Sequence, residues 1–410
     1  MIVGPGLVMA ATGVGAGDFA ASAVTGAKFG LALLWILLVG AAVKFMLTEG
    51  LARWQMATGE TLLEGWVHRL GRWIRWLFLA YLLIWTVFTS GALMNACGVA
   101  GTGLFPLTDD LRLSKILWGV LHSAVGLVLV WVGGFRLFER MMSACIAVMF
   151  VTVMVTVVLI RPDWSAVAHG LAVPTIPEGG LGYILGVLGG VGGTVTLMSY
   201  GYWAREIGRR GAAGLRSCRI DLAVGYTMTA LFGIAMVVIG SRVSLERGPT
   251  VALELAGQLG DSVGPVGKWI FLAGFWGAVF SSLLGVWQSV PYLFADFFLL
   301  SRGDAARANG DVDFARTVPY RVYLVLIAVV PLPLLWWSVE RAQLSYAILG
   351  SLFMPLLAVT LLLMNNREGW VGKGFKNGWL ANAVLVVTVL FFGYAALRKA
   401  QDVLGKLMAG

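Results

Sequence analysis

The sequence predicts an all-α polytopic membrane protein with about eleven transmembrane helices. Three observations carry that fold class: the composition, the length of the apolar runs, and two runs broken by glycine. Of the 410 residues, 59% are hydrophobic and only 12% are charged, whereas soluble domains carry about 25% charge. The 54 glycines and 17 tryptophans agree. Glycine lets helices approach closely in lipid, and tryptophan settles at the headgroup layer.

A bilayer core takes about 20 apolar residues per helix. Runs of that size lie near 2–27, 31–48, 74–101, 115–133, 142–160, 181–203, 222–240, 266–298, 322–338, 344–364 and 379–397. The polar stretches 49–73, 241–265 and 301–321 are loops or short surface helices, so residues 1–410 read as one transmembrane domain. The first run has no basic segment before it and no convincing cleavage site, which makes it a membrane helix rather than a signal peptide. Cys97, Cys145 and Cys218 are too few and too scattered for a disulfide framework or a thiolate metal site.

An odd number of spans puts the termini on opposite sides. With the N-terminus in the cytoplasm, eighteen of the 30 basic residues fall in inner segments and eleven in outer ones, as the positive-inside rule prefers. The expected location is a bacterial-type inner (plasma) membrane, with the C-terminus outside. The net charge of +9 is then topological, and the expected partners are the lipid bilayer and a small substrate. Nothing in the sequence asks for nucleic acid or an obligate protein partner. Lys44 and Glu49 read as the inner end of span two, where a lysine snorkels. Asp221 and Asp296 read as gating or interface contacts at span ends.

Two runs cannot be simple helices. The first contains Gly13-Val14-Gly15-Ala16-Gly17-Asp18. Each glycine costs about 1 kcal/mol in a continuous helix, and an ionised aspartate at mid-membrane costs a few more. Both penalties fall if the helix is interrupted and the acid lines a hydrated cavity. The sixth run repeats the device with Gly189-Gly190-Val191-Gly192-Gly193, then Thr194 to Met198 and Ser199-Tyr200-Gly201-Tyr202. Breaks at positions one and six imply two five-helix units, about 1–160 and 181–364, followed by an extra helix near 379–397. Five is odd, so the second unit enters inverted, and such repeats place substrate where the broken helices meet.

The same residues resemble the Nramp family of divalent-metal transporters, within the amino acid–polyamine–organocation superfamily. The opening Gly4-Pro5-Gly6 through Gly17-Asp18-Phe19-Ala20 follows the family, as does Gly26-Ala27-Lys28-Phe29-Gly30. Ala57-Thr58-Gly59-Glu60-Thr61-Leu62-Leu63-Glu64 is similar to its loop between helices two and three. Ile270 to Ser282 and Gln343 to Asn377 are similar to its eighth and tenth helices with the following loop. The resemblance implies a LeuT-like 5+5 inverted repeat with interrupted helices 1 and 6. It also implies a carrier rather than an enzyme, no cofactor, and a divalent cation as substrate.

The site motifs depart from the family's. Where the family has Asp-Pro-Gly-Asn in helix one, this chain has Gly15-Ala16-Gly17-Asp18, so the acid stands at the Asn position. Where it has Met-Pro-His in helix six, this chain has Met198-Ser199-Tyr200, or Leu197 in the methionine position if the register shifts by one. Its acidic pair of helix three falls on Ala92 and Asn95, which removes the usual proton wire. The expected cation site is therefore Asp18, backbone groups near Gly15 and Val195, Met198, Ser199 and Tyr200. Gln288, Ser282 and Asn95 are subsidiary candidates. One carboxylate among hydroxyls and carbonyls favours a hard ion such as Mg²⁺. The alternative is a carrier of a small organic cation or amino acid on the same fold. No HExxH motif or nucleophile elbow points to an enzyme.

Overall fold

Over the described residues, each run expected to cross the membrane is mostly helical in the computed structural model, which describes residues 4–190, 192–242, 251–302 and 313–409. In chain order the helices are α1 (Pro5–Gly13), α2 (Ala16–Phe29), α3 (Trp35–Thr58), α4 (Leu62–Gly65), α5 (Trp73–Leu104), α6 (Leu111–Leu159), α7 (Trp164–Ala172), α8 (Leu181–Gly190), α9 (Ser199–Glu206), α10 (Gly211–Gly240), α11 (Val251–Val263), α12 (Pro265–Arg302), α13 (Val318–Val329), α14 (Val339–Ser351), α15 (Phe353–Asn365), α16 (Glu368–Val371) and α17 (Trp379–Ala409).

Among the described residues, seven helical stretches are long and apolar enough to cross a membrane. The α6 stretch covers the fourth and fifth expected spans, two helical segments that meet without a loop at a kink on Gly134, whose own backbone is not helical. That residue has φ 59°, a left-handed conformation natural only to glycine. Span one is divided into α1 and α2, and span six into α8 and α9, while the last span is the apolar part of α17. The protein is an integral membrane protein with interrupted first and sixth helices.

Its surface is inverted relative to a soluble protein. Val128, Val132 and Leu390 are 59%, 77% and 66% exposed, as side chains facing lipid must be. Trp54, Trp85, Trp203 and Trp287 are fully buried, and so are Lys44, Asp221 and Asp296. Helix ends outside the bilayer take ordinary caps. Asp110 accepts from the Arg112 N–H at 2.8 Å at the start of α6, and Asp163 from the Ser165 N–H at 2.9 Å at the start of α7. In the loop after α3, Thr61 and Glu64 form a reciprocal capping box.

Helix α10 packs along α1, α2 and α3, and α12 along α5 and α6. The α10 contacts are backbone against backbone. A Cβ on Gly6 would stand 2.2 Å from the Asp221 carbonyl oxygen, and one on Gly26 would stand 2.1 Å from that of Val237. A Cβ on Gly240 would stand 2.1 Å from the Ala23 oxygen. Close approach of this kind is how helices bind one another in lipid, where the hydrophobic effect no longer separates them from solvent.

Gly26→Leu should therefore lower the thermal midpoint of the purified protein, since overpacking costs about 1–3 kcal/mol or more. Gly186→Ala in α8, with nothing within 4 Å of its new Cβ, should leave the midpoint unchanged or raise it. The reverse order in a thermal melt would contradict this packing.

Candidate functional site

A broken membrane helix releases carbonyls and N–H groups that lipid cannot satisfy. At the first break α1 stops at Gly13, Gly15 is extended with φ −110° and ψ −163°, and α2 begins at Ala16. Helix α12 supplies the missing donors. The Ser282 hydroxyl donates to the Thr12 carbonyl at 2.9 Å, and the Ser281 hydroxyl to that of Ala11 at 3.0 Å. A Cβ on Gly15 would lie 2.5 Å from the Ser282 oxygen, so this position has room only for glycine. Asp18 is the third residue of α2, at the end of the half-helix where N–H groups and the positive dipole end lie. Its side chain is outside the described residues.

At the second break, α8 ends at Gly190, and Gly192 and Gly193 take φ values of 74° and 85°. Val195–Met198 form a 3-10 turn that leads into α9. Two side chains from other helices hold the loop. The Trp85 indole N–H donates to the Thr194 hydroxyl at 3.0 Å, and the Lys44 ammonium donates to the Gly193 carbonyl. Lys44 is 0% exposed. The expectation that it snorkels to the inner face is corrected: it stands mid-helix in α3 and points into the second break. Glu49 is likewise buried, paired with Arg53 and, at 2.8 Å, with Arg219.

Between the two breaks lies a cavity of about 10 Å³, walled by Thr12, Gly13, Gly15, Trp85, Thr89, Leu93, Thr196, Ser282, Val286 and Tyr346. That is room for about one water molecule or a bare ion. The Thr89 and Thr196 hydroxyls, both buried, have no hydrogen-bond partner among the described residues. Buried polar atoms are rarely left so. Both residues line the same small cavity, which makes it a place for a ligand that takes oxygen donors.

Of the residues expected at the site, Gly15 and Ser282 line this cavity. Val195, Met198 and Ser199 are buried in the turn beside Thr196 but are not among its walls. Tyr200 points elsewhere, donating to Asp221 at 3.0 Å. Gln288 accepts from the Trp203 indole at 2.7 Å. Asn95 accepts from Lys115 at 2.8 Å and donates to the Leu334 carbonyl at 2.9 Å. The polar and aromatic walls that sequence reasoning missed are Thr12, Thr89, Thr196, Trp85 and Tyr346. Thr196 carried a readable signal, a polar residue directly after the glycines of the break, whereas Thr89 and Trp85 resemble any other residues of an apolar span.

A second polar cluster secures the start of α1. Asp221 of α10, 0% exposed, accepts from the Gly4 and Gly6 N–H groups at 3.0 and 2.8 Å. The same carboxylate pairs with Arg209 at 2.7 Å. A carboxylate on free helix-terminal N–H groups is favoured by both the hydrogen bonds and the dipole. Nearby, Asp296 accepts from the hydroxyls of Thr61 and Tyr202 at 2.8 and 2.7 Å, joining the loop after α3 to α9 and α12. Both acids are thus buried junctions, a more specific role than contacts at span ends.

Two interrupted helices facing an ion-sized cavity, with side chains from neighbouring helices closing their ends, define a membrane carrier fold. Residues 6–399 match the family model for natural resistance-associated macrophage protein-like (Nramp) proteins, and the chain belongs to that family. A metal transporter nramp1 homolog of Dictyostelium discoideum is 23% identical over 92% of this chain and 70% of that protein. A divalent metal cation transporter MntH of Chromohalobacter salexigens is 24% identical over 58% of this chain and 56% of its own. A crystal structure of a manganese transporter of Eremococcus coleocola superposes with TM-score 0.75 at 19% identity, covering 95% of this chain and 84% of the other. This likeness supports the fold.

Removing one member of a buried ion pair costs about 3–5 kcal/mol. Asp221→Ala should therefore lower the thermal midpoint sharply. Asp313→Ala breaks a pair whose side chains are 84% and 52% exposed, and such pairs contribute about 0–1 kcal/mol. Equal midpoints for the two variants would contradict the role given to Asp221.

Proposed function

We propose that the protein carries a divalent metal cation across the membrane by alternating access, with the ion seated between the two breaks. Family membership supports a divalent metal transporter rather than an enzyme, with a small cation and the lipid bilayer as what it meets. The observation that carries the site is the pair of buried, unpartnered hydroxyls of Thr89 and Thr196 on one cavity wall set. Asp18, in the first turn of α2, supplies the negative charge, and the backbone at Gly15 and the Ser282 oxygen complete an oxygen-rich surround. The two repeats, about 1–160 and 181–364, move against each other around this seat. The basic residues favour an N-terminus in the cytoplasm of an inner-membrane protein.

The unpartnered polar groups on the walls are hydroxyls, which favours a hard ion, and the Met198 sulfur is not among the walls. Magnesium keeps several of its waters, so a cavity of about 10 Å³ holds it only after the halves part. Release of the Gly4 and Gly6 N–H groups by Asp221 is the step that frees α1 to move. The alternative substrate, an amino acid or organic amine, would need the halves to part further, and family membership favours the ion.

Transport is not coupled to protons in this reading. Ala92 and Asn95 stand where the family's acidic pair would be. The one histidine in a span, His122, accepts from the Trp276 indole at Nε2 at 2.9 Å, and its Nδ1 lies 2.8 Å from the Trp118 carbonyl. The first contact makes Nε2 the acceptor and the second makes Nδ1 the donor, which is the neutral imidazole.

Uptake into liposomes tests the reading. Mg²⁺ or Mn²⁺ should enter with the wild type, and the rate should fall about tenfold or more in Asp18→Ala and in Thr89→Val/Thr196→Val, a loss of the size expected for unmade contacts to a charged group. Absence of uptake above empty vesicles would sink the proposal. Internal acidification in step with metal entry would overturn the uncoupled part alone.

A further inference from the structure

The Lys44 ammonium lies inside an expected span rather than at its first residues, and the ion site described above does not use it. It lies at the carbonyl end of the first half of helix six, on Gly193. A half-helix C-terminus carries about half a negative charge, and unwound carbonyls at such ends are where carriers coordinate monovalent cations. The loop it touches has no other way to be so tight. A Cβ on Gly192 would stand 2.8 Å from the Tyr226 ring and 3.8 Å from the Lys44 Cβ, and one on Gly193 would stand 2.4 Å from the Thr196 hydroxyl. Thr196 faces the ion cavity, so the ammonium and the ion seat share one short loop.

Among the described residues, the acids of the neighbouring helices α3 and α10 are engaged with other groups. On α3, Glu49 holds Arg53 and Arg219. On α10, Asp221 holds Arg209, and the neutral Tyr226 phenol lies 2.7 Å from the Thr48 hydroxyl. The Gly193 carbonyl and the helix dipole favour an ammonium in this setting.

We propose that Lys44 is a tethered monovalent cation. It fills, from within the chain, a cation seat at the broken end of helix six, and it fixes the Gly192–Thr196 loop so that Thr196 presents its hydroxyl to the cavity. Lys44 is a positioning residue, and the protein needs no free sodium or other small cation at this seat. The transport consequence rests on the proposed ion path; the cation seat itself does not.

The test removes the tether and returns the cation as a free molecule. Lys44→Ala deletes the equivalent of propylammonium. Its thermal midpoint, measured on the purified full chain, should fall below wild type and be restored by propylammonium chloride. Tetramethylammonium chloride at equal concentration, with the same charge and no N–H donor, should not restore it. Lys44→Met, which refills the volume without charge, should stay low with either salt, and Lys44→Gln, a neutral donor, should stay low too. These two variants decide the matter if Lys44→Ala does not fold. In liposomes, propylammonium should raise Mn²⁺ uptake by Lys44→Ala about tenfold, the scale of a partly buried cation at a helix C-terminus, and leave the wild type unchanged. A wild-type midpoint in Lys44→Met or Lys44→Gln, or equal action of the two salts on Lys44→Ala, would overturn the proposal. If wild type carries no Mn²⁺, the transport reading fails, and the thermal arm still decides the cation seat.

Discussion

The structure depends on one constraint: backbone polar groups freed by breaking a helix inside a bilayer must find partners within the protein. Both breaks obey it with side chains borrowed from helices distant in sequence. Ser281 and Ser282 of α12 close the end of α1. Lys44 of α3 and Trp85 of α5 hold the loop after α8, and Asp221 of α10 receives the first N–H groups of α1. Of the buried polar atoms left without a partner among the described residues, the Thr89 and Thr196 hydroxyls are the two that line the cavity between the breaks, which is why the ion seat is proposed there. Helix satisfaction and ligand binding are therefore parts of one hydrogen-bond inventory.

This inventory also bears on how such a carrier moves. The contacts that hold α1 at its start are ionic and few, whereas its flank on α10 is backbone against backbone through Gly6 and Gly225. In the proposed alternating access, a smooth, small-residue flank lets α1 slide or separate without disturbing side-chain packing, while a buried carboxylate on two N–H groups makes the observed position discrete. Bistable contacts of this kind convert small changes at a site into movements of whole helices.

The fold was legible because its signals are long and redundant. Twenty-residue apolar runs leave little choice of span, and glycine runs at positions one and six announced both interruptions. Span boundaries were less so: at Gly134 two helical segments meet directly at a kink, where the hydropathy reads a gap. The site was half legible. Gly15 and Ser282 were expected and line the cavity, but Tyr200, Gln288 and Asn95 are bonded elsewhere. Whether a polar residue of an apolar span serves a neighbour or a ligand depends on the helix it meets, and sequence spacing does not say which helix that is. Lys44 shows the opposite lesson. Its charge inside a span was a strong signal, since buried ionisable groups in membranes are costly and seldom idle, and snorkelling was too ready an explanation for a residue ten positions into α3.

The central claim is that an ion sits between the two breaks. Anomalous scattering from crystals soaked in Mn²⁺ tests it most directly. The account predicts one strong peak within coordination distance of the Thr89 and Thr196 oxygens and the backbone at Gly15, lost in Asp18→Ala. A peak confined to another part of the protein, or none at concentrations that support uptake, would contradict it.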